Sequence, residues 1–126
     1  MEFSHSFKVV SEDIDVQGHV NNVAYVRWIQ DVAVAHWFSL TSEEIREKYT
    51  WVVLRHEIDY KKPAFENEEI TALTWVGEPT RISWDRFTEI RRGADILVKA
   101  KSVWCLIDRR IMKPTRITED FIKLFK

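Results

Sequence analysis

The 126-residue sequence predicts an α+β fold, a curved antiparallel sheet wrapped around one long central helix. Three observations predict it. Residues 23–38, VAYVRWIQDVAVAHWF, are apolar around nearly the whole circumference of a helix. Four later segments alternate between apolar and polar residues with period two, as strands do. Only three glycines and three prolines interrupt the chain, so most of it falls in regular elements.

Taken in order, a first strand is expected over residues 3–10, followed by a polar, glycine-bearing loop over 11–22. The helix over 23–38 is about 24 Å long at the usual rise. Arg27, Gln30, Asp31 and His36 alone break its apolar surface. It is too short and too charged for a bilayer, so protein must enclose it. A second, short helix is expected around residues 42–49, with Thr41 or Ser42 as its cap and Glu44 nearby. Strands are expected over 51–60, 69–76, 81–91 and 96–107. In the last of these Ile96, Val98, Ala100, Trp104 and Leu106 share one face, and Lys99 and Lys101 the other. Gly77-Glu78-Pro79 and Arg92-Gly93-Ala94-Asp95 read as tight turns that join the last three strands into hairpins. Pro114 is expected to end the sheet, and residues 117–125 to form a terminal helix. One sheet around one helix leaves an edge strand open. Pairing that edge with another copy covers it, so a homodimer or homotetramer is expected.

Hydrophobic residues make up 45% of the chain and charged ones 31%, the balance of a globular protein, and residues 1–126 read as one domain. A net charge of -1 with no basic run argues against nucleic acid as a partner. The opening MEFSHSFKVV lacks the apolar core of a signal peptide, and no segment has the roughly 18 apolar residues of a membrane span. Cys105 is the only cysteine, which rules out an internal disulfide and points to a reducing, cytoplasmic setting. His5, His36 and His56 have no metal-site spacing and read as packing or surface residues, so no metal or cofactor is expected. Trp28, Trp37 and Trp104 are placed for the core. Basic residues near turns, among them Arg92, Arg109 and Arg110, read as solvated strand ends.

The informative segment is residues 12–25, EDIDVQGHVNNVAY. It places two carboxylates, a glutamine, a histidine and two asparagines directly ahead of the buried helix. The first main-chain N–H groups of a helix have no partner within it and carry partial positive charge. They suit a carbonyl oxygen that becomes negative during reaction, and an aspartate beside them is a nucleophile or base at hand. The same residues also serve as turns and caps, and composition alone leaves both readings open.

The pattern D-x-D-x-x-G-H-V-N-N-x-x-Y, here Asp13, Asp15, Gly18, His19, Val20, Asn21, Asn22 and Tyr25, resembles that of the hotdog thioesterases. These include the 4-hydroxybenzoyl-CoA thioesterases and the acyl-carrier-protein thioesterases. The apolar helix with Trp28, and the run Glu57-Ile58-Asp59-Tyr60-Lys61-Lys62-Pro63, extend the likeness over the whole domain. The resemblance implies a hotdog fold and hydrolysis of an acyl-CoA or acyl-ACP thioester. It also implies that Asp15 is the catalytic carboxylate, with Asp13 ordering the loop. The acyl-carrier-protein branch has an asparagine where this chain has Gln17, and a histidine that matches His19. Its further glutamate or cysteine aligns with Pro63. In the 4-hydroxybenzoyl-CoA branch a main-chain amide at the helix start polarises the carbonyl, which maps onto the N–H of Asn22.

On this reading the Asn22 N–H holds the thioester oxygen, and Asp15 attacks the carbonyl or activates water. His19 or Gln17 braces the carboxylate or positions the water. Two other functions remain in view. Hotdog dehydratases place a histidine ahead of a proline- and glycine-rich stretch, and residues 18–22 contain no proline. A non-catalytic acyl-thioester binding protein has no need of a carboxylate at the helix mouth.

Overall fold

The computed structural model describes residues 1–126. Strand β1 spans Phe3–Lys8 and a 3-10 turn covers Ser11–Asp13. Helix α1 runs Asn22–Leu40 and α2 Glu43–Lys48. The strands β2 Tyr49–Tyr60, β3 Glu69–Pro79, β4 Ser83–Arg92, β5 Asp95–Asp108 and β6 Lys113–Pro114 follow, then α3 Glu119–Phe125. The sheet is antiparallel in the order β1-β3-β4-β5-β2, with β6 on β5, so β1 and β2 are its edges. The sheet curls around α1, which is the hotdog arrangement. No helix is long and apolar enough to cross a membrane.

Helix α1 starts where a cap stands ready. The Asn21 side chain accepts the Val23 N–H at 2.9 Å, which supplies one of the orphan donors of the first turn. At its other end Thr41 Oγ1 donates to the Trp37 carbonyl at 2.7 Å, and Ser42 accepts the Ile45 N–H to open α2. Of the two candidate caps for α2, Ser42 is the one used. The chain itself encloses one side of α1. A stripe of Val23, Arg27, Asp31, Val34 and Phe38 stays exposed at helical spacing. Of the two readings open for His36, packing is the one realised: it is 1% exposed, stacked on Phe3 and hydrogen-bonded to Arg86.

One expectation is corrected. Gly77-Glu78-Pro79 is not a turn but the end of β3, where the register with β4 shifts between Val76 and Pro79. The reversal lies one step on, where the Thr80 N–H donates to the Ser83 carbonyl at 2.7 Å and the two hydroxyls meet at 2.6 Å. Gly77 instead permits a close approach: a Cβ there would lie 3.1 Å from the Phe87 ring, and its carbonyl accepts the Trp84 indole N–H at 2.6 Å. Pro114 is the last residue of the sheet, as expected. With Lys113 it pairs with β5 after a reversal through Met112 at φ 52°, on an outer strand where a missing N–H costs little. The turn at Gly93 (φ 59°) is as expected.

Two apolar clusters fill the space between α1 and the sheet. Under the N-terminal half of α1, Ala24, Tyr25, Trp28 and Val32 pack on Ile70, Ala72, Ile90 and Val98. Under the C-terminal half, Trp37 packs with Trp84, Leu106, Phe121 and Phe125. A polar row separates them. Arg86, Ser102 and His56 lie side by side on β4, β5 and β2, and His56 Nδ1 meets Ser102 Oγ at 2.7 Å. The fold thus has two interiors, one at each end of its helix.

Candidate active site

The segment ahead of α1 forms a closed loop. Ile14 and Val20 form an antiparallel bridge, the Asp15 N–H donates to the His19 carbonyl at 2.9 Å, and the Gly18 N–H donates to the Asp15 carbonyl at 3.1 Å. Gly18 sits at φ 89°, a conformation that side chains other than hydrogen oppose. Asp15 is therefore held at the throat of a tight loop rather than on a free tail. Its Oδ1 accepts the Gln17 main-chain N–H at 2.9 Å, which orients the carboxylate, and the side chain is half-buried.

Three contacts pin this loop to the body. Asp13 is buried, with its carboxylate on Arg27 at 2.5 Å and its carbonyl accepting the Asn21 N–H at 2.8 Å. This is the loop-ordering part expected of it. The Val20 N–H donates to the Ala64 carbonyl at 2.9 Å, and the Ala64 N–H donates back to the Tyr25 hydroxyl at 3.0 Å. Burial raises the Tyr25 pKa, so this phenol is neutral. The segment after β2 is thereby clasped to both the loop and the helix. Asn22 opens the helix, and its main-chain N–H makes no hydrogen bond within the chain.

The four predicted site residues thus share one loop–helix junction, but their side chains do not form one network. Gln17 touches Asp15 through its main chain, while its amide side chain is exposed. His19 packs edge-on to Phe65 at 5.9 Å and makes no hydrogen bond to the Asp15 carboxylate. What the junction offers chemically is an oriented carboxylate ahead of an unpaired main-chain donor.

A second feature went unread in the sequence. Beneath the C-terminal half of α1 lies a cavity of about 210 Å³, walled by Trp37, Trp51, Trp84, Trp104 and Phe125 together with Arg86. Arg86 is 6% exposed and lowered by burial to a pKa of about 10, so it is charged at neutral pH. Its Nη1 donates to Thr74 Oγ1 at 3.0 Å and to His36 Nδ1 at 3.1 Å. His36 must accept at Nδ1, which leaves its proton on Nε2. Burial and the neighbouring guanidinium lower its pKa to about 4. A signal for Arg86 existed. Trp84, Thr88 and Ile90 alternate inward on β4, and period two puts Arg86 on the same face.

Residues 1–125 match the family described as acyl-ACP thioesterase N-terminal domain. A curated relative, the chloroplastic acyl-[acyl-carrier-protein] hydrolase FATB3 of Cuphea viscosissima, is 23% identical over 95% of this chain. The chain spans only 32% of that relative's length. Among solved structures, a probable thioesterase from Bartonella henselae superposes with a TM-score of 0.81 at 23% identity, covering 93% of this chain and 98% of that one. An aspartate-to-asparagine mutant of 4-hydroxybenzoyl CoA thioesterase, complexed with 4-hydroxybenzoyl CoA, superposes with a TM-score of 0.87 at 14% identity over 99% of both chains. The fold is theirs. By the match over nearly its full length, the chain belongs to the acyl-ACP thioesterase N-terminal domain family.

Proposed function

We propose that this domain, residues 1–126, hydrolyses acyl thioesters of coenzyme A or acyl carrier protein to the free acid and thiol, with Asp15 as the catalytic carboxylate. The observation that carries the reading is the junction itself. An aspartate oriented by the Gln17 N–H precedes a helix whose first amide, on Asn22, has no partner.

In the reaction the thioester oxygen accepts from the Asn22 N–H, which strengthens as charge develops on that oxygen. Asp15 then acts in one of two ways. As a base it takes a proton from water, and the resulting hydroxide adds to the carbonyl carbon. The tetrahedral intermediate expels thiolate, and the proton ends on the thiol. As a nucleophile the carboxylate adds directly, thiolate leaves, and water cleaves the acyl-aspartyl anhydride. Thiolate is a good leaving group, so neither route needs a strong acid. The side chains of His19 and Gln17 border the junction and position water or the thioester once substrate is bound.

Edge strand β2 supports a homodimer or homotetramer. It presents Val52 (42% exposed), Leu54 (61%) and Tyr60 (45%) along an open edge. Two-fold antiparallel pairing of β2 with a second copy lays the Tyr60 end of one strand beside the Tyr49 end of the other. Tyr60 packs on Tyr25 next to the Asp15 loop, and Tyr49 and Trp51 line the cavity. Such pairing brings the cavity end of one copy and the Asp15 end of the other to the same end of the paired strands. The single thiol, Cys105, buried and raised in pKa by that burial, suits a reducing cytoplasm.

The test is thiol release from a panel of acyl-CoAs and acyl-ACPs. Free thiol appearing in step with free acid is the expected result. Hydration without thiol, or binding without reaction, would instead assign the fold to a dehydratase or to a binding protein.

A further inference from the structure

The cavity under the C-terminal half of α1 holds a buried charge that the chain does not balance. Its wall carries Arg86 at depth, together with Arg46 and Arg109, and contains no aspartate or glutamate. None of the three makes an ion pair; arginines 27, 55, 91, 92 and 110 do, while Arg81 and Arg116, away from the cavity, do not. Arg46 instead donates to the Thr41 carbonyl at 2.5 Å and covers the Phe38 ring, and Arg109 donates to the Arg46 carbonyl at 3.1 Å.

Arg86 is the decisive member. Nη1 is fully used by His36 and Thr74, but Nε and Nη2 have no partner in the chain. Those two atoms are the side of the guanidinium that grips a carboxylate in two parallel hydrogen bonds. Phe125 lies against the group at 5.8 Å, and His36 is neutral, so no anion offsets the buried charge. Burying an uncompensated cation is costly, and hydrogen bonds to neutral groups offset only part of that cost. A structural scaffold at this position is better served by an apolar side chain.

We propose that this cavity binds the apolar body of an organic carboxylate, with the carboxylate taken side-on by Arg86 Nε and Nη2. The wall of indole and phenyl rings suits a short aliphatic chain or a single ring. The volume of about 210 Å³ lies below the roughly 300–1,000 Å³ of pockets for drug-sized ligands. Arg46 and Arg109 stand at its rim with Glu43 and Glu47 beside them, so the unbalanced charge is that of Arg86. Resting on the thioesterase reading above, the ligand is the acyl part of the substrate: an acyl group whose far end is a second carboxylate, with its thioester at the mouth.

The binding arm needs no turnover. Four of the six tryptophans line the cavity, so occupancy is read from intrinsic fluorescence. Titration with hexanoate and with hexanamide separates charge from shape. Hexanoate is expected to bind at least about tenfold more tightly, and Arg86→Gln to abolish the difference. Arg86→Lys keeps the charge without the fork and should retain only part of it. Equal binding of the two compounds, or a preference that survives Arg86→Gln, overturns the proposal. Should the Gln variant fold poorly, Arg86→Met decides. A ligand-site arginine predicts an unliganded melting temperature equal to or above wild type, and a steep fall marks Arg86 as structural and overturns the proposal. In the activity arm, adipoyl-CoA should exceed hexanoyl-CoA in kcat/KM by at least about tenfold, with the ratio collapsing in Arg86→Gln. Absence of thiol from every substrate with hexanoate binding intact sinks the thioesterase reading alone. Thiol release without any Arg86-dependent preference sinks this proposal alone.

Discussion

The two halves of α1 rest on interiors of different kinds. Under the N-terminal half, Ala24, Tyr25, Trp28 and Val32 meet an aliphatic floor of Ile70, Ala72, Ile90 and Val98. Under the C-terminal half, large rings cannot fill the space, a cavity remains, and a guanidinium and an imidazole are buried beside it. Trp51 Nε1, Trp104 Nε1 and His36 Nε2 are buried without hydrogen-bond partners, and Trp51 and Trp104 line this cavity. Close packing fixes the helix start, and with it the Asp15 junction, to one geometry. Open space and unpaired donors belong where a ligand completes the structure. Rigidity at one end of the helix and vacancy at the other is the division of labour this fold offers.

The contrast can be broken by matched truncations. Trp28→Ala in the packed half should cost about 3–5 kcal/mol of unfolding free energy. Trp51→Ala beside the cavity should cost about half as much, because its ring already lacks neighbours on one side. Urea unfolding of the two variants measures this, and equal losses would erase the distinction.

A smaller effect sharpens it through pH. His36 titrates near 4 in the fold because burial and Arg86 disfavour its charge, against about 6.5 when unfolded. The groups that face it are Arg86 from β4, Phe3 from β1, Phe125 from α3 and, at longer range, the chain's amino terminus. With the folded pKa depressed, the unfolded chain binds the extra proton first. The stability from a neutral His36 is therefore fully present above pH 6.5 and is lost as pH falls toward 4, up to about 3 kcal/mol. His36→Gln should remove that component, so the wild-type and variant stability curves converge as pH falls through this window. Curves that stay parallel would refute it.

The smallest effect lies at the helix start. Asn21→Ala removes the side-chain acceptor of the Val23 N–H and should cost about 1 kcal/mol. The Asp15 loop should loosen with it, since the Asn21 N–H also holds the Asp13 carbonyl. Hydrogen exchange across residues 13–22 reports this.

Much of this fold was legible because its signals are local. The apolar run after Asn21 and Asn22, the inward alternation of Val98, Ala100 and Leu106, and the turn at Gly93 each carry their meaning within a few residues. The same holds for Asp13, Asp15 and the glycine at 18, which form one continuous loop. Gly77-Glu78-Pro79 misled because Thr80 and Ser83 bond to each other and take the turn, freeing the glycine for a close contact with Phe87. The cavity was not legible. Its rings come from α1, β2, β4, β5 and α3, and no short stretch contains the pattern. His36 looked like a polar break in an apolar helix. Only its partner, fifty residues on, explains its burial.

The most direct test of the account is thiol release by Asp15→Asn protein, on whichever thioester the wild-type protein cleaves best, alongside circular dichroism and urea unfolding. If a carboxylate at the start of α1 performs the hydrolysis, turnover should fall by roughly a thousandfold or more while the spectrum and unfolding midpoint stay those of the wild type. A well-folded variant that still releases thiol at close to the wild-type rate would contradict it.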